Sequence, residues 1–136
     1  MQSLTRLYTR FKQMKYSPIT GGIAFEPLAM ALKKDETILK LIEGSYSTSV
    51  GLFIATDSRI FFIGVNRFNK TTIEQISYED LKSISITEPK IISVQIIIQF
   101  SPNHEIVIKG CDYHEGKQFV ELIQMLTAYN TILKAV

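Results

Sequence analysis

The chain has 136 residues, of which 46% are hydrophobic and 21% are charged. That length suits one domain with a core large enough to fold without disulfides, and the composition is that of a globular protein. Most of the basic character lies in residues 1–17, which contain four basic residues and no acidic one, although the net charge is only +2. The remainder is mildly acidic, so we expect no nucleic-acid partner.

The single cysteine, Cys111, cannot form an internal disulfide, which suits a reducing compartment. No apolar run reaches the roughly 18 residues of a membrane span. No short apolar segment behind a basic start resembles a secretory signal. We therefore expect a cytoplasmic protein.

The N-terminal segment has the pattern of a basic amphipathic helix behind the possible N-cap Ser3. Its apolar positions are Leu4, Leu7, Tyr8, Phe11 and Met14, and its basic positions include Arg6, Arg10 and Lys12. Such a helix can bind an anionic membrane surface, but most apolar stripes face a protein core or a second subunit. Both alternatives remain open from the sequence.

A second short helix is predicted from Glu26 to Leu32, after a break at Gly21-Gly22. Pro27 would lie in its first turn, where a missing N–H costs nothing. Residues 1–33 are therefore interpreted as a helical extension, and residues 34–136 as the domain proper.

The stretch from Gly51 to Gly64 predicts a β-hairpin, with Asp57-Ser58 as its turn. In that register Leu52 faces Ile63 and Ile54 faces Phe61. Side chains alternate across a strand, so these four share one face, and the other face is formed by Phe53, Ala55, Ile60 and Phe62. Both faces are apolar. The hairpin therefore needs a cover on each side.

Strands alternate with short turns along the rest of the chain. They are predicted at 38–46, where Gly44 suggests a bend or bulge, and then at 71–76, 83–87, 91–100 and 105–109. One helical turn is expected at Ser77–Asp80, and a long helix at 113–133 behind the N-cap Asp112. Seven strands and a closing helix predict a mainly β (α+β) fold, a strongly bent antiparallel sheet or partly open barrel.

This order of elements resembles the pleckstrin-homology (PH) fold. Three local features resemble the bacterial PH-like domains of the YokE-like group: Lys34-Asp35-Glu36, Thr56-Asp57-Ser58-Arg59 and Ser77-Tyr78-Glu79-Asp80-Leu81. GRAM domains have a similar Thr-Asp-x-Arg hairpin. The resemblance implies a non-catalytic scaffold for lipids, peptides or proteins. The loop at 45–49 has no cation, however, and Lys40 stands alone, so a phosphoinositide headgroup site is not expected.

No catalytic or cofactor site is predicted. Cys111 and His114 could supply two zinc ligands of the roughly four that such a site needs, and no second cluster follows. Arg59 is expected to pair with Asp57 or a nearby carbonyl.

We therefore predict an interaction module that binds a protein partner or itself, with an anionic membrane surface as the alternative. A barrel has one interior, so the second apolar face must be covered by residues 4–32 or by another copy. We favour N-terminal helices that pack on that face and contribute to a homodimer. The predicted interaction surface comprises Leu4, Leu7, Phe11, Arg6, Arg10, Lys12, Phe53, Phe62, Ile91 and Ile97.

Overall fold

A computed structural model describes residues 2–14, 21–87 and 94–135, with only the backbone described at 21–25 and 130–135. In chain order the elements are α1 (Leu4–Gln13), α2 (Gly21–Ala31), β1 (Ile38–Tyr46), β2 (Ser49–Thr56), β3 (Arg59–Asn66), β4 (Thr71–Ser77), β5 (Leu81–Ile86), β6 (Gln95–Phe100), β7 (His104–Lys109) and α3 (Tyr113–Ala135). None of the helices in this described part is long and apolar enough to cross a bilayer.

The seven strands form one antiparallel sheet in the order β4-β3-β2-β1-β7-β6-β5. The predicted hairpin is confirmed: Asp57 and Ser58 form the turn, Leu52 pairs with Ile63, and Ile54 pairs with Phe61. The long final helix is confirmed as well. The carboxylate of Asp112 accepts a hydrogen bond from the N–H of Glu115 at 3.0 Å and so caps α3.

The sheet curls around an inner core. Ile76 of β4 and Ile84 of β5 lie at opposite edges of the strand order, yet both belong to the same buried cluster. Phe119 and Ile123 of α3 close that cluster from the open side of the sheet. The predicted PH-like architecture, a bent seven-stranded sheet with a C-terminal helix, is therefore confirmed.

A second core lies on the outer face of the sheet, where α1 and α2 pack on β1, β2 and β3. Its members are Leu7, Phe11, Leu28, Ala29, Leu32, Ile38, Leu41, Leu52, Ile54, Phe61 and Ile63. The outer hairpin face is thus covered by this chain's own residues. Of the two predicted covers, residues 4–32 are the one that the structure contains.

The predicted interaction surface includes Phe53 and Phe62, which would require that hairpin face to point outward, but the structure turns it inward. Phe53 and Phe62 are buried in the inner core with Phe119, and their rings are 4.5 Å apart between centroids. Leu52 and Ile54 instead point outward beneath the helices. Alternation fixes which residues share a face, but two equally apolar faces do not reveal which one points inward.

Three local predictions are corrected. The helix α2 begins at Gly21, so Pro27 lies in its interior rather than in its first turn. The irregular pairing of β1 with β2 occurs at Ile38/Lys40, whereas Gly44 pairs regularly with Gly51. Ser77–Asp80 forms a turn rather than a turn of helix, because the N–H of Asp80 bonds to the carbonyl of Ser77 and β5 begins directly afterwards.

Candidate interaction surface

A buried ion pair joins the segment after α2 to the hairpin. Arg59 donates two hydrogen bonds to the carboxylate of Glu36, from Nη2 to Oε1 at 2.8 Å and from Nε to Oε2 at 3.1 Å. The same Nη2 donates to the carbonyl of Ala31 at 2.8 Å, and Nη1 donates to Gln75. The guanidinium also lies 4.3 Å from the ring centroid of Phe61, over the edge of the outer core. Arg59 therefore links α2, β3 and β4.

Thr56 completes this cluster. Its hydroxyl donates to Oε2 of Glu36 at 2.6 Å and accepts from the N–H groups of Ser58 and Arg59. Burial alone would raise the pKa of Glu36, but hydrogen bonds from Arg59, Thr56 and the N–H of Lys33 outweigh it and lower that pKa. The Thr-Asp-x-Arg sequence thus builds a structural clasp.

Tyr78 closes the inner side of the clasp. Its hydroxyl donates to the carbonyl of Thr56 at 2.5 Å. Burial, followed by the negative charges of Asp57 and Glu36, raises the pKa of Tyr78, so the phenol stays protonated and remains a donor.

The helix α1 is held through its polar side chains as well as its apolar ones. Arg6 donates to the carbonyl of Lys34 at 2.6 Å, and Arg10 donates twice to the carbonyl of Ile38, at 2.7 and 2.9 Å. The amide of Gln2 reaches the carbonyls of Lys33 and Glu36. Both arginines of the predicted surface therefore bind this chain's own backbone.

Some residues of the predicted interaction surface are buried in the structure, and others are exposed. Leu7 and Phe11 are buried in the outer core, and Phe53 and Phe62 in the inner core. Lys12 is exposed, Leu4 is 42% exposed and Ile97 is half-buried, while Ile91 lies outside the described residues. The members that remain accessible do not come from one element.

An apolar strip that the sequence analysis missed continues beyond the helices. Val50 and Val65 pair across β2 and β3, and Ile73 of β4 pairs with the buried Ile63. The strand alternation places all three on the same outer face as Leu52 and Ile63. Val50 is 56% exposed and Ile73 is 45% exposed, and Val65 is half-buried. We call these three residues the outer strip.

Lys40, the lone cation of the first strand, is engaged elsewhere. Its Nζ forms an ion pair with Glu115 and donates to Gln118 of α3 at 2.9 Å. Within the described residues, no group of three or more His, Cys, Asp and Glu side chains is arranged as a metal site. Cys111 is buried, which raises the pKa of its thiol.

Comparison with known proteins now identifies the family. The family model for the bacterial PH domain matches residues 32–125. The chain belongs to the bacterial PH domain family. The match begins directly after α2, so α1 and α2 both lie outside the matched region.

Solved structures with low sequence identity to this bacterial PH domain have a similar fold. The Vps36 N-terminal PH domain is 14% identical with a TM-score of 0.54, and the match covers 76% of this chain and 86% of that one. The C-terminal domain of an unknown protein from Leishmania infantum is 11% identical with a TM-score of 0.52, covering 91% and 98% respectively. No curated protein matches the chain. Such domains typically mediate protein or lipid interaction and are generally non-catalytic.

Proposed function

We propose that this chain is a cytoplasmic, non-catalytic PH-like module that binds a protein partner or a second copy of itself through the outer strip. Residues 1–33 act as a helical extension and residues 34–136 as the binding domain. The observation that supports this is the outer face itself: α1 and α2 cover Leu52 and Ile63 but leave Val50 and Ile73 in solvent. An exposed apolar patch beside a covered one is typical of an interaction surface.

Site-specific photo-crosslinking in cells tests this proposal. A photo-reactive residue at Ile73 should crosslink, whereas the same residue at Ser83, an exposed position on β5, should not. A product of twice the chain mass identifies self-association, and another discrete mass identifies a partner protein. Ile73→Glu should reduce association by at least about tenfold, because a buried charge without a partner is costly. Equal crosslinking at both positions, or none at Ile73, would reject the outer strip.

A peripheral membrane function is the second candidate. Leu4 and Tyr8 of α1 are 42% and 54% exposed, and Lys12 of the same helix is exposed as well. Arg6 and Arg10, however, donate to backbone carbonyls of the chain, which leaves fewer cations for lipid headgroups. We therefore favour the protein-binding function.

Vesicle sedimentation separates these two candidates. We expect little protein to sediment with phosphatidylserine vesicles at low salt. If instead most of it sediments, is released by high salt, and is lost on Lys12→Glu but not on the control Lys70→Glu, the membrane function is correct.

A further inference from the structure

One edge of the seven-stranded sheet is a regular strand without protection. The strand β4 lies at the end of the strand order and pairs with β3 alone, in a register that has no shift. Its Thr71, Ile73 and Gln75 are exposed. Proteins usually protect a sheet edge with lysine, proline or a bulge, and Thr71–Ser77 contains none of these. This edge is therefore able to receive another strand.

The other edge of the sheet, β5, is protected. Its register with β6 shifts between Leu81 and Ser83, and Lys82 lies at the shift. The side-chain amide of Gln124 on α3 donates to the carbonyl of Ile84 at 3.0 Å and so occupies a backbone group of this edge. The contrast between the two edges indicates β4 as the one that can pair with a further strand.

The hydrogen bonds of the β3–β4 hairpin determine which backbone groups of β4 point to the open edge. The N–H of Asn66 donates to the carbonyl of Lys70 at 3.1 Å, so these two residues form a hydrogen-bonded pair. In an antiparallel ladder such pairs alternate with pairs that exchange no bond. The alternation leaves three residues of β4 with N–H and C=O groups directed away from β3, namely Thr71, Ile73 and Gln75. Within the described residues, no hydrogen bond joins these backbone groups to another element.

The open edge is complementary to itself. Two antiparallel β4 strands related by a two-fold axis at Ile73 would pair all three edge residues, with Ile73 opposite its own copy and Thr71 opposite Gln75. Thr72 would then lie opposite Glu74, the only charged residue of the strand. An axis at Glu74 would instead place two carboxylates opposite each other, which is unfavourable. The register at Ile73 also lets two side chains that are each 45% exposed pack together.

We propose that two copies of this chain join their β4 edges in an antiparallel pair with its two-fold axis at Ile73. Backbone groups of Thr71, Ile73 and Gln75 exchange hydrogen bonds with those of the second copy, so the two sheets become one continuous sheet. The outer strips of both copies lie on the same side of that sheet and meet at Ile73. The inference rests on the proposed function, because it names a second copy as the partner and adds the backbone of β4 to the outer strip.

Hydrogen exchange of the full-length protein, resolved for each amide by NMR, tests the pairing. Samples are compared at concentrations below and above the dissociation constant that sedimentation equilibrium gives. The amides of Thr71, Ile73 and Gln75 should exchange at least about tenfold more slowly in the dimer, because each gains a hydrogen bond. The amides of residues 72, 74 and 76 already bond to β3 and should change much less. Contact between side chains of the outer strip alone does not produce this alternation.

A proline at the edge provides the matching variant. Thr71→Pro removes an N–H that points away from β3, so the strand should keep its pairing with β3 while losing a bond to the second copy. The dissociation constant of the dimer should rise at least about tenfold. The control Thr71→Val keeps the N–H and a β-branched side chain, and it should leave the dissociation constant unchanged.

Several results would overturn the inference. They are a chain that stays monomeric at every concentration, equal slowing of all β4 amides, and equal dissociation constants for Thr71→Pro and Thr71→Val. If the chain is monomeric but a partner protein crosslinks at Ile73, the inference fails and the proposed function stands. The same holds if Ile73→Glu separates the dimer and Thr71→Pro does not. Thermal unfolding checks that each variant folds, and if Thr71→Pro does not fold, the exchange measurement on the unchanged protein decides the question.

Discussion

At the scale of single residues, the clasp of Glu36 and Arg59 connects the end of α2 to the hairpin, because Arg59 donates to the carbonyl of Ala31 and Glu36 accepts from the N–H of Lys33. Glu36 is buried, and Arg59 is mostly buried beside it. Taking one partner away from such a pair leaves an uncompensated charge in a poorly hydrated site, at a cost of about 3–5 kcal/mol. The arginine also reaches Ala31 and Gln75, so its position fixes the end of α2 relative to β4.

Acidification is expected to weaken this clasp. Because the folded pKa of Glu36 lies below its usual value of 4.5, the clasp contributes its full stability above that value and loses it as the pH falls through the folded pKa. The free energy of unfolding, measured with denaturant, should therefore decline as the pH is lowered below about 4.5. Glu36→Gln should be less stable at pH 7 but should lack this part of the decline.

The exposed carboxylate Glu121 supplies the control for that experiment. Glu121→Gln should follow the parent protein at every pH. A parallel decline in the parent and in Glu36→Gln would show that other carboxylates cause the pH dependence.

The partner of Arg59 could not be deduced from its local sequence. The expectation of a nearby carbonyl is met by Ala31, but Asp57 accepts from the N–H of Thr37 instead. The anionic partner, Glu36, lies 23 positions earlier in the chain. It faces Arg59 because the segment after α2 runs alongside the hairpin turn, a tertiary arrangement that no local spacing encodes.

At the scale of elements, α1 contributes two large apolar side chains to the outer core, beside the hydrogen bonds of Arg6 and Arg10. Leu7 and Phe11 are its buried residues, one helical turn apart. They contact the outer core alone, because the sheet separates that core from the inner one. The attachment of α1 can therefore be weakened without opening the barrel.

Phe11→Ala tests this separation. The substitution should cost about 3–5 kcal/mol of packing energy. Hydrogen exchange should become faster in α1 and stay slow in β6 and β7, whose side chains pack in the inner core. The exposed control Lys12→Ala should change neither region. Equally faster exchange in β6 would show that the two cores unfold as one unit.

Sequence patterns predicted where the helices and strands lie along the chain better than which of their faces point to the inner core. The turn at Asp57-Ser58, the strand 38–46 and the helix after Asp112 each rest on a local signal, and the structure confirms them. The orientation of Phe53 and Phe62 depends on which face α3 covers, which is set by residues some 60 positions later. The outer strip was missed for the same reason, since its exposure depends on where α1 and α2 lie.

At the scale of the whole molecule, one sheet separates two apolar cores. The inner core is closed by α3 and the outer core by α1 and α2. The sheet contributes side chains to both, which explains why Leu52–Ala55 and Ile60–Ile63 contain no polar residue.

Removing residues 1–33 should therefore expose the outer core. We expect the truncated chain 34–136 to aggregate or to form large assemblies, measured by light scattering, because Leu41, Leu52, Ile54, Phe61 and Ile63 would face solvent. Adding Leu52→Thr and Ile54→Thr to the truncation should increase its solubility, since threonine suits a strand whose outer face is wet. A stable, soluble and monomeric truncation without those changes would show that the helical cover is dispensable.

The order of the two cores along the chain matters during synthesis. Every member of the outer core lies between Leu7 and Ile63, whereas the inner core includes Phe119 and Ile123. Ribosomes synthesise a chain from its N-terminus to its C-terminus. All residues of the outer core are therefore made before the first residue of α3. One apolar side of the nascent hairpin can thus be covered early, and only its other side remains open to misassembly or chaperones until the C-terminal helix emerges.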